Sequence, residues 1–447
     1  MRTLRLAALG LAGLLAAPPA TLAAQDAAGP GWPASWLLGA QINLIGQQLQ
    51  PLHSPYAGPL SLRWWGDDEM TQAFGVYLGA ALPAGFQVYL DAEMIRGNGV
   101  GSASGLAGVT NGDVVRQGTV DLGKGPYVAR AFVRWTVSLG GGGRDTLGRA
   151  QDQVAAVVQS RRLEVTAGRL AVTDLIDVNR YANSTRTQFE NWGLFQNTAW
   201  DYPADTRGYS YGVAVAWIEP RWALRAASFQ MPTFANGNVL DGDLARARGD
   251  AVELTLQPAG GTVVRVLGYL NHARMGSYAE AIALAQGTGQ PPNIVADDRP
   301  GRTKVGFGLN LEQPLADAGA TGAFARLGWS DGRNESFAFT EVDRHVSAGV
   351  QVAGVHWRRA ADVVAVAFVD HGLSPLHREY LELGGHGFLL GDGRLNYGHE
   401  RIVEAYYRLQ LGPFVQLGPD LQQIWNPGYN RDRGPATVLG LRLNARY

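Results

Sequence analysis

The chain has 447 residues and no cysteine, with 38 Lys and Arg against 39 Asp and Glu, a net charge of −1. That balance gives no basis for nucleic-acid binding, and without cysteine a small secreted domain stapled by disulfides is excluded. Gly is 59 residues, close to twice the usual share of about 7%, while past the N-terminal segment no stretch approaches the roughly 18 apolar residues of a membrane-spanning helix.

Arg2 and Arg5 precede an apolar run from Leu6 to Ala17 and a small-residue stretch from Ala20 to Ala24. This is the layout of a secretory signal peptide over 1–24, too short to span a bilayer. Its removal leaves 36 basic residues against 39 acidic. No Pro/Ser-rich linker divides the remaining chain, so 25–447 is expected to be one domain.

From Phe86 the residues alternate, with Phe86, Val88, Leu90, Ala92 and Met94 on one face and Gln87, Tyr89, Asp91 and Glu93 on the other. This predicts a strand with one oily and one wet face. The pattern recurs at 38–49, 71–81, 127–139, 162–170, 208–218, 221–230, 249–257, 262–271, 303–312, 321–330, 345–354, 362–370, 401–411, 413–424 and 436–447. With 86–94 that makes sixteen. The strand at 362–370 is nearly apolar on both faces, which leaves its inward face undecided.

Short links at 82–84, Glu219-Pro220, 258–261, 313–320, 355–361 and Gly412 alternate with long ones at 50–70, 96–126, 171–207, 231–248, 272–302, 331–344, 371–400 and 425–435. A transmembrane antiparallel β-barrel has this rhythm, with brief periplasmic turns and long outer loops. Only 140–161 breaks it. With Gly140 to Gly143 and a helical reading for Arg149 to Ser160, it is expected to be a periplasmic insertion, a further pair of strands being the competing reading. Trp217 and Trp222 flank the Glu219-Pro220 turn on the oily face, as membrane-boundary rings do, and Trp36, Tyr127 and Trp135 are candidates for the same role.

The last strand turns Thr437, Leu439, Leu441, Leu443, Ala445 and Tyr447 one way and Val438, Gly440, Arg442, Asn444 and Arg446 the other. Two Arg and an Asn facing lipid would be costly, so that face is the lumen. A terminal aromatic in the outward phase also looks like the C-terminal signature read by bacterial barrel-assembly machinery. The oily face suits the bilayer, and a homotrimer is one assembly that it leaves open.

About sixteen strands leave an aqueous channel rather than a filled core, so selectivity requires an inward-folded constriction loop. The longest outer loop, 171–207, carries Arg180, Tyr181, Arg186, Trp192, Trp200 and Asp201. Rings that stack on sugar C–H faces, together with fork donors and carboxylate acceptors for hydroxyls, are what a sugar needs. A loop packed on its own aromatic core is the alternative for each ring. Lumen-phase Asp91, Glu93, Arg130 and Arg134, with Arg96 just past its strand, form a second group able to set a transverse field, or simply to pair as a wet wall.

Several segments resemble the carbohydrate-selective porin family of Gram-negative outer membranes (OprB-like). They are Asp174-Leu-Ile-Asp-Val-Asn-Arg-Tyr-Ala-Asn-Ser-Thr-Arg-Thr-Gln-Phe189, Ala199 to Gly212, Asn396 to Pro413, Asn426 to Pro435 and Gly108 to Val114. The resemblance implies a sixteen-stranded barrel for passive, sugar-preferring uptake in the cell outer membrane, among bilayer lipid and lipopolysaccharide. The 140–161 insertion and the terminal Tyr447, where Phe is commoner, depart from it.

Two other functions compete. A porin for an organic anion or phosphate ester is not rejected by composition. An outer-membrane barrel hydrolase would need a paired nucleophile and base, yet no Gly-x-Ser-x-Gly elbow is present and only His371, Ser374 and His377 share an outer loop. The spacings of His371, His377 and His386 match no recognised metal arrangement, and Gly97, Gly99 and Gly101 form no phosphate cradle. No cofactor, metal or catalytic residue is expected.

Overall fold

The computed structural model describes residues 35–114 and 122–447, so the leader expected over 1–24 lies outside the described residues. Its first strands are β1 (Trp36–Leu49), β2 (Asp67–Ala81), β3 (Phe86–Gly97), β4 (Tyr127–Ser138), β5 (Arg144–Leu147), β6 (Ala156–Gln159), β7 (Arg162–Leu170), β8 (Ser210–Glu219) and β9 (Trp222–Gln230). The later ones are β10 (Arg248–Leu256), β11 (Val263–Met275), β12 (Arg299–Ala316), β13 (Thr321–Ser330), β14 (Arg344–Ala353), β15 (Val363–Gly372), β16 (Glu400–Leu411), β17 (Val415–Trp425) and β18 (Ala436–Arg446). All but β5 and β6 form one closed antiparallel barrel of sixteen strands, in which β1 pairs with both β2 and β18. Closure leaves every wall strand with two neighbours and no edge to expose to lipid.

Alternation decides which face each strand buries. On β3, Phe86, Leu90 and Ala92 are exposed outward while Gln87, Tyr89, Asp91 and Glu93 are buried inward. On β18, Leu439, Leu441 and Leu443 point out and Arg442 and Asn444 point in. Val364, Val366 and Phe368 of β15 face outward, and Val363, Ala365, Ala367 and Val369 face inward. That inner apolar stripe is dry because Tyr181, Ala182, Phe189 and Leu194 of the loop 171–209 pack in one cluster with it.

Aromatic pairs mark the short-turn end. Trp217 and Trp222 meet at 5.5 Å across their turn, Phe86 stacks on Trp135 at 5.5 Å, and Phe414 lies 5.6 Å from Tyr447. Trp36 is exposed there too. Tyr127 departs from the expected role, since its hydroxyl points inward and donates to Glu93 at 3.2 Å. Its position beside the Asp91/Ala92 bulge of the β3–β4 ladder, where one extra residue re-aims the strand, accounts for the turn inward.

The segment 140–161 is not helical. β5 pairs with β6 from Arg144↔Gln159 to Leu147↔Ala156, and Ala150 and Gln153 close the tip with reciprocal 3.1 Å hydrogen bonds. This extra pair of strands stands apart from the barrel ladder, at the short-turn end.

The largest apolar cores lie inside the barrel and among the long loops, not in the wall. Three short helices occur among the described residues, α1 (Trp192–Phe195), α2 (Tyr278–Thr288) and α3 (Pro375–Glu382), all in long loops. α3 starts at Ser374, whose hydroxyl caps the His377 amide, with Pro375 in the first turn where its missing N–H costs nothing. α2 and α3 share a buried cluster containing Tyr278, Ile282, Tyr380 and Leu381.

Candidate functional site

The loop 171–209 leaves β7 at the long-loop end and passes down the lumen. Its Tyr181 is fully buried and its hydroxyl donates to the Gly319 carbonyl at 3.0 Å, in the short turn between β12 and β13. Gly322 permits this approach, because a Cβ there would sit 2.2 Å from the Tyr181 hydroxyl. The loop therefore crosses most of the barrel's height.

Buried polar groups fasten it on every side. Asp177 accepts from the Asn197 amide and from Asn310 Nδ2, both at 2.7 Å, and pairs with Arg326 of β13 at 3.2 Å. Arg326 spends its other N–H groups on the carbonyls of Ala182 at 2.8 Å and Leu194 at 3.1 Å. Three strands further round from β13, Glu404 of β16 accepts from the amides of Glu190 at 2.5 Å and Asn191 at 3.0 Å. Arg442 of β18 donates to the carbonyls of Thr185 and Gln188, both at 2.6 Å. Phe189 lies 5.7 Å from Phe324 and 5.0 Å from Tyr406. Burying so many charges is tolerable only because each one is met.

Beside the loop, two guanidiniums gather five carboxylates. Arg130 donates to Asp174 at 2.7 and 2.9 Å and lies 3.4 Å from Asp91 and 3.3 Å from Asp152. Arg186 bridges Glu93 at 3.0 Å and Asp113 at 2.8 Å, while the Tyr209 hydroxyl donates to Glu93 at 2.6 Å. Burial, reinforced by Asp91 and Asp174 and opposed by Arg130, pushes Asp152 up to about 8. In the loop, burial beside Asp420 pushes Glu190 up to about 8, Arg442 opposing.

Above this cluster Phe339 is sandwiched, with Trp192 stacked at 4.9 Å and an interplanar angle of 7°, and Tyr202 at 5.1 Å and 15°. Val109, Val114, Thr206, Asn236, Phe388 and Leu389 line a small recess with Trp192 and Phe339.

The eleven residues singled out from sequence separate under this geometry. Asp91, Glu93, Arg130 and Arg186 come together, but in contact rather than facing each other across open water, so any field they set is short-ranged. Arg134 points elsewhere, donating to the Asp152 carbonyl at 3.1 Å and Gln153 Oε1 at 3.4 Å. Trp192 is 7% exposed in the recess, and Arg180 is exposed at the short-turn end of the loop. Three expectations are corrected. Trp200 at 1% exposure, Tyr181, and Asp201, which accepts from the Phe337 and Ala338 amides and pairs with Lys304 at 3.1 Å, are sealed inside the protein, out of a solute's reach. Arg96 is a fourth: it falls in the outward phase of β3, exposed past the lipid-facing residues, because the alternation set by Phe86 and Leu90 carries through it.

Phe339 and Tyr209 were missed, since both act through partners distant in sequence. Lumen arginines of β9, β11 and β16 were also passed over. Arg265 pairs with Glu312 at 2.6 Å, Arg225 donates to Thr255 at 3.1 Å, and Arg408 donates to the Thr187 carbonyl at 3.3 Å. Their strand phase was readable, as Arg225 follows outward Leu224 and Arg265 precedes outward Val266.

In the loop 373–399, Ser374 Oγ donates to the Gly332 carbonyl at 2.7 Å, and His377 Nδ1 meets Asp343 Oδ2 at 3.0 Å. His371 Nε2 lies 3.0 Å from Thr198 Oγ1 in a separate network. No serine–histidine pair forms among these three residues.

The sequence model of the carbohydrate-selective porin, OprB family, matches residues 128–447. The fold is similar to that of Pseudomonas putida OprB, with a TM-score of 0.68 at 14% identity over 93% of this chain and 94% of that one. It is also similar to an anion-selective porin from Comamonas acidovorans, with a TM-score of 0.51 at 9% identity over 92% of this chain and 99% of that one. No curated protein matches the sequence.

Proposed function

The chain belongs to the carbohydrate-selective porin, OprB family, and on that premise we propose that its loop 171–209 is the narrowing that selects small sugars. The protein is an outer-membrane β-barrel porin for passive sugar uptake. Its family and fold are those of a channel, and on our reading it performs no catalysis.

One observation carries the assignment of the narrowing: the loop is fastened to β13 through Asp177–Arg326 and, eight strands away around the sixteen-strand ring, to β3 through Arg186–Glu93, with further ties to β12, β16 and β18. A loop held that way leaves a fixed, narrowed passage. Trp192 and Phe339 offer apolar ring edges toward the long-loop end, and Arg130, Arg186 and Asp174 offer donors and acceptors below them. A neutral sugar meets both kinds of surface in succession without carrying a charge past paired ions.

Sugar uptake into liposomes, comparing glucose, a disaccharide, a neutral amino acid and a small organic anion at two salt concentrations, tests this. Sugar-preferring flux that changes little with salt is expected. One observation favours a second reading, transport of an organic anion or phosphate ester. Arg180, Arg225, Arg408 and Arg446 line the lumen toward the short-turn end, some of them without a carboxylate in contact among the described residues. Anion-preferring flux that falls steeply with salt would establish that reading instead.

The C-terminal strand β18 fits insertion by barrel-assembly machinery, its outward residues ending at the exposed Tyr447. Replacing Tyr447 with Asp is expected to slow assembly, read as accumulation of unfolded chain in a heat-modifiability gel.

A further inference from the structure

The hairpin over 140–161 does not hang away from the barrel. Gln151 Nε2 donates to Asp91 at 2.7 Å, and Gln151 Oε1 accepts from Gln41 at 3.2 Å. The Val154 amide donates to the Tyr89 hydroxyl at 3.1 Å, and Arg134 binds the Asp152 carbonyl at 3.1 Å. Arg149 donates to the Trp36 carbonyl at 2.5 Å. Gln41, Tyr89, Asp91 and Arg134 sit on β1, β3 and β4 with their side chains facing the lumen.

The depth follows from the register. Gln41 and Asp91 are each five residues above the first residue of their strands, about 17 Å of strand at ~3.4 Å per residue. With a tilt of about 40° that is roughly 13 Å of height, near the middle of a ~25 Å apolar band. The tip thus enters from the short-turn end and reaches about mid-membrane.

The wall is shaped to receive it. Where a water-filled lumen calls for polar side chains, β1 to β4 present Leu37, Tyr77, Tyr89 and Phe132, and the fully buried Val154 joins their cluster. Arg130 then links the two in-folded segments, holding Asp174 of the long loop at 2.7 Å and Asp152 of the hairpin at 3.3 Å.

We propose that the hairpin 140–161 is a second pore-narrowing element, a jaw closing the short-turn half of the lumen against β1, β3 and β4 that sets the size limit for sugars admitted by the long loop. This rests on the sugar-porin reading above. The loop restricts the lumen from one end and the hairpin from the other, and a passing sugar meets Gln151, Asp152 and Gln153 before reaching the periplasm.

The register supplies a clean truncation. Leu147 pairs with Ala156, so replacing 148–155 with Asn-Gly joins β5 to β6 through a two-residue turn. In planar bilayers the trimmed protein is expected to show at least about twice the single-channel conductance, and in liposomes a raised disaccharide-to-glucose flux ratio. As the chain has no cysteine, Gln153→Cys in the otherwise intact protein gives an independent reading should the trimmed form not fold. A charged methanethiosulfonate reagent should cut its conductance by about half. Unchanged conductance on trimming, or on labelling, overturns the proposal. Loss of sugar preference in the unaltered protein would overturn the sugar reading alone, because the conductance comparison does not depend on which solute is preferred.

Discussion

In the barrel wall, β10 and β11 pair backbone to backbone over nine consecutive positions, from Arg248↔His272 to Leu256↔Val264. The loop 171–209 has no such ladder and is held by side chains reaching its backbone, Arg326 and Arg442 to its carbonyls and Glu404 to two of its amides. Many interchangeable hydrogen bonds secure the wall, so a single side chain there matters mainly through the medium it faces. The loop depends on a few buried ions, each of which leaves its partners stranded if removed.

Changes to those ions should therefore have the largest effect. Arg326→Met leaves Asp177 and the carbonyls it binds unpaired in the dry interior and is expected to cost about 3–5 kcal/mol of loop docking. The measurement is protease nicking within 171–209 with the barrel still heat-modifiable; an uncut loop would mean that the buried pair is dispensable. In the wall, Val252 at the middle of β10 is 50% exposed on the outer face. Val252→Arg is expected to cost about 2–4 kcal/mol in lipid-vesicle unfolding, with the loop still protected. A cost near zero would place Val252 away from the bilayer midplane. Tyr181→Phe removes only a neutral hydrogen bond to Gly319 and should cost about 1 kcal/mol, enough to raise channel noise without freeing the loop.

The outer loops have a pH dependence of their own. Burial disfavours charge on His377, but Asp343 beside it at 3.0 Å and Glu341 at 3.3 Å outweigh this and raise it above its ordinary 6.5. Burial likewise works against the Asp343 carboxylate, which His377 and Lys304 hold below its ordinary 3.8. A raised histidine stabilises fully below about 6.5 and loses that contribution as pH climbs through its folded value; a lowered carboxylate stabilises above about 3.8 and loses it only in stronger acid. Glu335, pushed up to about 7 by burial, subtracts stability as pH rises from about 4.5 to 7. Docking of 331–343 against 373–399 should be tightest near pH 4 to 5 and loosen toward pH 8. Amide exchange of these segments across that range checks it, and His377→Gln should flatten the upper part of the profile.

The wall was legible in the sequence because lipid on one side and water on the other impose a period of two. All sixteen barrel strands and their alternating links came from that, including the inward phase of Arg442. The same logic explains its weak points. β15 reads as apolar on both faces because a folded loop replaces water on its inner side, and Leu37, Tyr77, Tyr89 and Phe132 do so beneath the hairpin. In the loop itself residue type pointed to sugar chemistry, but Tyr181 and Asp201 are engaged by partners more than a hundred residues away, Gly319 and Phe337, and Trp200 is buried in a core cluster with Phe229 and Tyr269. No local pattern encodes the Trp192–Phe339 stack or the sharing of Arg130 by two loops.

Trp192→Ala is expected to lower glucose flux about three- to tenfold, corresponding to roughly 1 kcal/mol of lost ring contact, with little change in flux of a small anion. The most direct test of the central claim is liposome uptake by the unaltered protein, with glucose set against a small organic anion at low and high salt. Glucose-preferring flux that is nearly independent of salt is the predicted result. Anion-preferring flux that collapses at high salt would contradict a sugar-selecting passage.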